Sequence, residues 1–178
     1  MRRLITNSLI LIVTAMPASA WGLDSDRDQP MHLEADSVTI DDQKKISRYS
    51  GAVQMSQGSV RATGDEIVVH SNEDGPERII MMGSPATFRQ RPQGKEQDAY
   101  GHARRIEHDT ERETTLFIGE ARFWQGKEEF AGASIEYDAA RDRVHAQGST
   151  DGSSRVRIVI QPKNQSAPDT ADTPKAAQ

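Results

Sequence analysis

The sequence predicts an all-β protein: an elongated antiparallel stack of short strands, solenoid-like or a jelly-roll pair of sheets, open at both ends. Three observations predict it. Between Met31 and Ile160 helical periodicity is poor, and apolar residues alternate with polar ones over short stretches. Turn-forming pairs interrupt those stretches at intervals. The whole segment also repeats itself, in units too short to close a core alone, so that stacking is what buries an apolar strip.

The elements follow in chain order. Met1-Arg2-Arg3 is basic, Leu4 to Met16 is mostly apolar, and Pro17-Ala18-Ser19-Ala20 supplies small residues in the A-x-A pattern. Together these read as a secretory signal over residues 1–20, cleaved after Ala20. The apolar run is too short for a spanning helix, which needs about 20 apolar residues. Residues 21–27 form a flexible lead-in, and residues 28–161 form the β domain. Within it Ser37-Val38-Thr39-Ile40-Asp41, Ala52-Val53-Gln54-Met55-Ser56 and Ala121-Arg122-Phe123-Trp124-Gln125 place apolar side chains on one face at period two. Turns fall at Gln57-Gly58, Asp74-Gly75-Pro76, Gln93-Gly94, Gln125-Gly126 and Asp151-Gly152, where glycine permits a tight reversal. Ala99 to Glu113 is the one helix-like alternative, but it is charge-rich and lacks an apolar stripe. Residues 162–178 carry no large apolar side chain and read as a disordered tail.

The repeat fixes the register. Laying residues 35–69 over residues 103–137 without a gap matches Ala35 with Ala103, Asp41 with Asp109 and Gly51 with Gly119. Gln57-Gly58 falls on Gln125-Gly126, Gly64 on Gly132, and Ile67 on Ile135. Val38/Ile106, Tyr49/Phe117, Met55/Phe123 and Val69/Tyr137 keep their character. After a three-residue shortening, Arg78-Ile79 meets Arg143-Val144. Alternation and register together send Met31, Leu33, Val38, Ile40, Val53, Met55, Ile67, Val69, Phe88, Ile106, Phe117, Phe123, Ile135 and Tyr137 to the interior. That interior is either an ordinary packed core or a groove left open between two sheets, and composition is compatible with both.

Composition excludes much of the remaining chemistry. The 178 residues hold 22 Lys+Arg against 27 Asp+Glu, a net charge of −5, which argues against a nucleic-acid partner. With no cysteine there is no disulfide, thiolate–metal site or thiol nucleophile. The five histidines lack H-x₃-H and H-E-x-x-H spacing, so no metal site is expected. Adjacent acids such as Asp41-Asp42 and Asp65-Glu66 point to opposite faces of a strand or sit solvated in turns, and no G-x-S-x-G elbow or nucleotide loop is present. No catalytic residue and no cofactor is expected. Lys44-Lys45, Arg89 with Arg91, and Arg104-Arg105 form basic pairs, each explained equally well as solvated surface or as an anion contact.

The segments Asp28 to Asp36, Gly51-Ala52-Val53 with Gln57-Gly58, Asp65 to Val69, Pro85 to Phe88, Gly101-His102-Ala103, Gly119, and Gly132 with Ile135-Glu136-Tyr137 occur in an order and spacing that resembles the OstA-like family of periplasmic lipopolysaccharide-transport proteins. The resemblance covers roughly residues 28–160. It implies a slightly twisted β-jelly roll, without enzymatic activity, whose interior takes the acyl chains of lipid A. It also implies head-to-tail copies, joined to related jelly rolls on inner-membrane and outer-membrane subunits. On that reading the interior residues above are the lipid-binding set, and Arg89, Arg104 and Arg105 meet the ligand's phosphates at the groove mouth. The end contacts fall on Met31 to Ala35 and on Arg155 to Ile160. Two positions depart from the pattern: His108 stands where the repeat takes an apolar residue, and Ala133 stands where Asp65 is the acid. A periplasmic β-solenoid scaffold with a packed core and no lipid ligand is the competing reading. A polysaccharide-acting β-solenoid enzyme needs an outer-face catalytic cluster that the scattered acids do not supply.

Overall fold

The computed structural model describes residues 26–160. The expected signal at 1–20 and tail at 162–178 lie outside the described residues. Asp26 and Arg27, expected in the flexible lead-in, belong to the fold instead. Asp26–Asp28 is a short 3₁₀ turn, and the Asp26 carboxylate accepts hydrogen bonds from the Ser59 amide (2.6 Å), the Ser59 hydroxyl (2.8 Å) and the Gln90 side chain (3.2 Å).

Ten antiparallel strands make one continuous sheet. They are β1 (Met31–Glu34), β2 (Ser37–Asp41), β3 (Ile46–Gln57), β4 (Val60–Asn72), β5 (Gly75–Gln90), β6 (Ala99–Asp109), β7 (Thr114–Gln125), β8 (Glu128–Asp138), β9 (Arg143–Gln147) and β10 (Arg157–Ile160). The order is β1-β3-β4-β5-β6-β7-β8-β10, with β2 also on β3 and β9 also on β8. Among the described residues neither end is closed by a further strand.

Each strand pairing in the middle slips near its centre, and these slips line up: Ser50/Val53, Thr63/Glu66, Met82/Ala86, His102/Arg105 and Ile118/Ala121; the β4–β5 pair slips a second time at His70/Ser71, near its turn. A β-bulge bends its strand and sharpens the local twist. A row of them folds the sheet along a spine into two facing leaves. The first leaf holds β1, the β1-side halves of β3 to β8, and β10; the second holds β2, the other halves, and β9. The bend is visible within β7. Phe117 and Phe123 are six residues apart, about 20 Å on a straight strand, yet their ring centroids lie 5.9 Å apart across the interior.

The repeat is conformational as well as sequential. Gly51 and Ala52 have φ of 86° and 44°, and their counterparts Gly119 and Glu120 have 78° and 54°. Two successive left-handed residues turn each strand at the spine, and glycine takes the first of them without steric cost. Lys45 and Glu113, also equivalent, share φ of 56° and 52° at turns that contain no glycine.

Antiparallel partners share a face, so the pairings resolve into rows that cross the molecule. In the second leaf one interior row runs Val38–Tyr49–Ile67–Met81–Ile106–Phe117–Ile135–Ala146. Its neighbour runs Ile40–Ser47–Val69–Ile79–His108–Thr115–Tyr137–Val144. In the first leaf the matching row is Leu33–Met55–Ala62–Phe88–Gly101–Phe123–Phe130–Ile158. Gly101 leaves the space that the Phe117 ring fills from the opposite leaf.

Candidate functional site

The interior between the leaves is the candidate site. Ten of the fourteen residues expected to line it are buried: Val53, Met55, Ile67, Val69, Phe88, Ile106, Phe117, Phe123, Ile135 and Tyr137. Each such apolar side chain removed from water stabilises the fold by about 1.5–3 kcal/mol. Met31 and Leu33 are half-buried and pack against this cluster. Val38 and Ile40 are not covered. They occupy the predicted rows, but β2 is the last strand of its leaf and, among the described residues, nothing flanks it, which leaves them 54% and 61% exposed. At the far end Ile158 terminates the first-leaf row 53% exposed, beside Val159 and Ile160. The apolar strip is therefore sheathed in the middle and bare at both ends.

Aromatic rings bridge the leaves. Phe88 of the first leaf meets Phe117 of the second edge-on at 6.0 Å, and Phe123 meets Tyr137 at 4.6 Å. Phe88 also lies 5.3 Å from the His108 ring. His108 is wholly buried, its Nδ1 sharing a 2.9 Å hydrogen bond with the Thr115 hydroxyl. Burial disfavours the imidazolium and drops its pKa to about 4, so it sits neutral in the strip. Burial likewise pushes the Tyr137 phenol up to about 12. The buried Tyr137 hydroxyl makes no full hydrogen bond, and the Gln125 side chain beside it offsets only part of that rise.

Opposite the spine, the turns of the two leaves face each other as the lips of a cleft. An ion pair spans them: Lys95, in the loop between β5 and β6, places Nζ 2.6 Å from a carboxylate oxygen of Asp142, in the turn between β8 and β9.

The arginines proposed for phosphate contact are not gathered at this mouth. Arg104 and Arg105 stand on the spine, paired with Glu120 and, at 2.8 Å, with Glu107. Arg89 lies on the outer surface of the first leaf, its Nε 2.6 Å from the buried Asp98 carboxylate and its guanidinium over the Tyr100 ring. Arg91 shares that carboxylate, and together they hold Asp98 below the usual carboxylate range. Each arginine already has a carboxylate because register, which short-range sequence does not display, sets acids beside them. Sequence reasoning also left out the outer Tyr100–Trp124 pair, stacked at 5.6 Å with planes 7° apart. Its signal was available: both residues have the parity opposite to Phe123 and Gly101. Among the described residues no group of three or more His, Asp or Glu is placed to hold a metal.

The folded-over antiparallel sheet has counterparts among known proteins. The family described as "LptA/(LptD N-terminal domain) LPS transport protein" matches residues 32–143. The chain belongs to this family. Its relatives include the lipopolysaccharide export system protein LptH of Pseudomonas aeruginosa, 33% identical over 172 residues, covering 92% of this chain and 98% of that one. The lipopolysaccharide export system protein LptA of Escherichia coli K12 is 30% identical over 159 residues, covering 87% and 84%. The crystal structure of LptH, titled the LptA-homologous periplasmic component of the lipopolysaccharide transport device of P. aeruginosa, superposes with a TM-score of 0.71 at 30% identity. It covers 78% of this chain and all of that one. The OstA-like resemblance and the all-β, open-ended architecture expected from sequence both stand.

Proposed function

We propose that this chain is a periplasmic lipopolysaccharide carrier whose interior strip takes the acyl chains of lipid A, and whose ends join to like jelly rolls to form a bridge toward the outer membrane. One observation carries the reading. The second-leaf rows start at exposed Val38 and Ile40 at one edge of the stack, the first-leaf row ends at exposed Ile158 at the other, and between these ends the facing rows are mostly buried. A core that served only stability has no need of apolar side chains bared at both termini of the stack.

The mechanism is transfer without chemistry. An acyl chain of a dozen methylenes gains roughly 10 kcal/mol on leaving water for an apolar channel. That is enough to displace the rings of Phe88, Phe117, Phe123 and Tyr137 from one another as the leaves part. Between equivalent rows the chain slides with little change in free energy, so direction is set elsewhere in the pathway. Access is through the lips that Lys95 and Asp142 bridge.

Assembly uses the sheet edges. Among the described residues the outer edges of β2 and β1 at one end, and of β9 and β10 at the other, have no strand beside them, and a neighbouring strand can complete their backbone hydrogen bonds. The ends differ, so the contact is heterologous and propagates. It admits a second copy or the related jelly rolls of inner-membrane and outer-membrane subunits. The expected β1 contact at Met31 to Ala35 is joined by β2, whose bare Val38 and Ile40 supply apolar area that half-buried Met31 and Leu33 do not.

The scaffold reading has an observation of its own, the ring contacts that close the interior. One experiment decides between the two. A photo-crosslinking residue at Ile106, in the middle of the buried row, is expected to capture lipopolysaccharide in cells, whereas the same residue at outward-facing Arg78 is not. Equal capture at both positions, or none at either, would leave the scaffold.

A further inference from the structure

We propose that His108, Thr115 and Tyr137 form a polar station inside the apolar strip that receives the hydroxyl of a hydroxylated fatty-acyl chain. The inference rests on the acyl-chain reading above and adds which chain the interior prefers.

The three residues are consecutive in one register row, on β6, β7 and β8, so their side chains adjoin on the interior face. All are buried. The row is otherwise apolar around them, with Val69 and Ile79 on one side and Val144 on the other. The repeat does not account for the cluster. The equivalent positions of the first copy are Ile40, Ser47 and Val69, which preserve only one hydroxyl. Nor does packing account for it. The His108–Thr115 hydrogen bond satisfies those two side chains with one another, but the Tyr137 hydroxyl is left buried and unpaired. Phenylalanine would fill the same volume without that cost, since an orphaned buried donor forfeits its hydration for nothing.

An alcohol on the ligand resolves this. A hydroxyl both donates and accepts. It can take the proton of the Tyr137 phenol on its oxygen and give its own to the remaining lone pairs of the Thr115 oxygen. The neutral His108 ring fixes the Thr115 hydroxyl through Nδ1 and adds no charge to the strip. A plain methylene chain entering between the leaves would leave the phenol orphaned. A site that hydrogen-bonds a substrate hydroxyl discriminates against the analogue lacking it, where an apolar wall of the same shape barely does.

The test compares 3-hydroxytetradecanoate with tetradecanoate, both below their micelle concentrations, as displacers of a fluorescent fatty acid from the protein purified from the periplasm. The wild-type chain is expected to favour the hydroxylated acid by about fivefold, the size of one buried hydrogen bond. Tyr137→Phe and Thr115→Val are each expected to bring the ratio close to one. The ratio is internal to each preparation, so a partly inactive variant does not distort it. Tyr137→Phe should also melt no lower than wild type, because it removes an unpaired group and leaves the ring. Equal displacement in wild type, or an unchanged preference in Tyr137→Phe, overturns the station and leaves the acyl groove in place. Displacement by neither acid, nor by lipopolysaccharide, overturns the groove itself and the station with it.

Discussion

Strand β2 and the second half of β6 are the same element met twice. Val38 corresponds to Ile106 and Ile40 to His108, and each pair occupies the same interior row of the same leaf. Yet Ile106 is fully buried while Val38 is 54% exposed, and His108 is sealed where Ile40 is the more open of the two apolar residues of β2. Alternation decides which face a side chain takes; the number of flanking strands decides whether that face is dry. A hydrophobic residue at the end of an open stack is therefore left bare, and its twin in the middle is a core residue.

The largest expected effect tests this contrast directly. Ile106→Ala should cost about 2–5 kcal/mol of unfolding free energy, as large-to-small changes in packed cores do. Val38→Ala should stay within about 0.5 kcal/mol, as surface changes do, while weakening self-association in sedimentation across a concentration series. Comparable losses in urea melts of the two variants would mean that β2 is covered in solution.

Acid should separate the two positions next. The folded His108 titrates near 4, below its ordinary 6.5, so the unfolded chain binds the proton more readily. Stability is complete above pH 6.5, falls as the pH drops from there toward 4, and levels off below, a loss of about 3 kcal/mol. Asp98 and Asp138, held low by Arg91 with Arg89 and by Arg141, lose their contributions only at lower pH, as their own carboxyls protonate. Denaturant midpoints of His108→Asn should lose most of that slope between pH 6.5 and 4, a remainder of the same sign coming from His102, whose pKa burial also lowers. Introducing the imidazole at the exposed twin, Ile40→His, should add no slope of its own.

A smaller contrast lies at two equivalent glycines. A methyl on Gly64 would stand 2.6 Å from the Met82 carbonyl, and one on Gly132 2.7 Å from that of Gln147. Met82 belongs to β5, held between two long strands, whereas Gln147 belongs to five-residue β9 at the free edge. Overpacking of this kind costs about 1–3 kcal/mol. Gly64→Ala should fall in that range and Gly132→Ala below it, because β9 can shift away. Thermal melts in the reverse order would show that the last strand is as fixed as the middle ones.

Smallest in stability is Lys95→Ala. The Lys95–Asp142 pair is half-exposed on both sides, so its removal should change unfolding by less than about 1 kcal/mol. It should instead raise the rate at which a fluorescent acyl probe enters. An unchanged rate would mean that the lips part elsewhere.

How much of this was legible in the sequence follows the same division. The strands, the glycine turns, the repeat and the inward parity of the interior set are local or periodic, and all could be read. Exposure at Val38 and Ile40 could not, because it depends on a strand that is missing. The Arg104–Glu120 and Arg89–Asp98 pairs could not either, since they need the pairing register and the path of a loop. Turns at Lys45 and Glu113 escaped notice because ordinary residues hold the left-handed conformation there. The contact between Lys95 and Asp142 exists only once the spine has folded one leaf over the other.

The strand order carries a kinetic consequence. From β3 through β9 every strand pairs with its immediate predecessor, and β10 reaches back past only one. No strand waits for a distant partner, so loop-closure entropy is met in small instalments and the sheet can grow like a zipper from any hairpin. Every partly grown stack, however, ends in the same kind of bare, apolar-faced edge that the finished protein offers its neighbours. A half-folded chain is thus already adhesive, and crowding should trap it on its fellows unless its next strand arrives first.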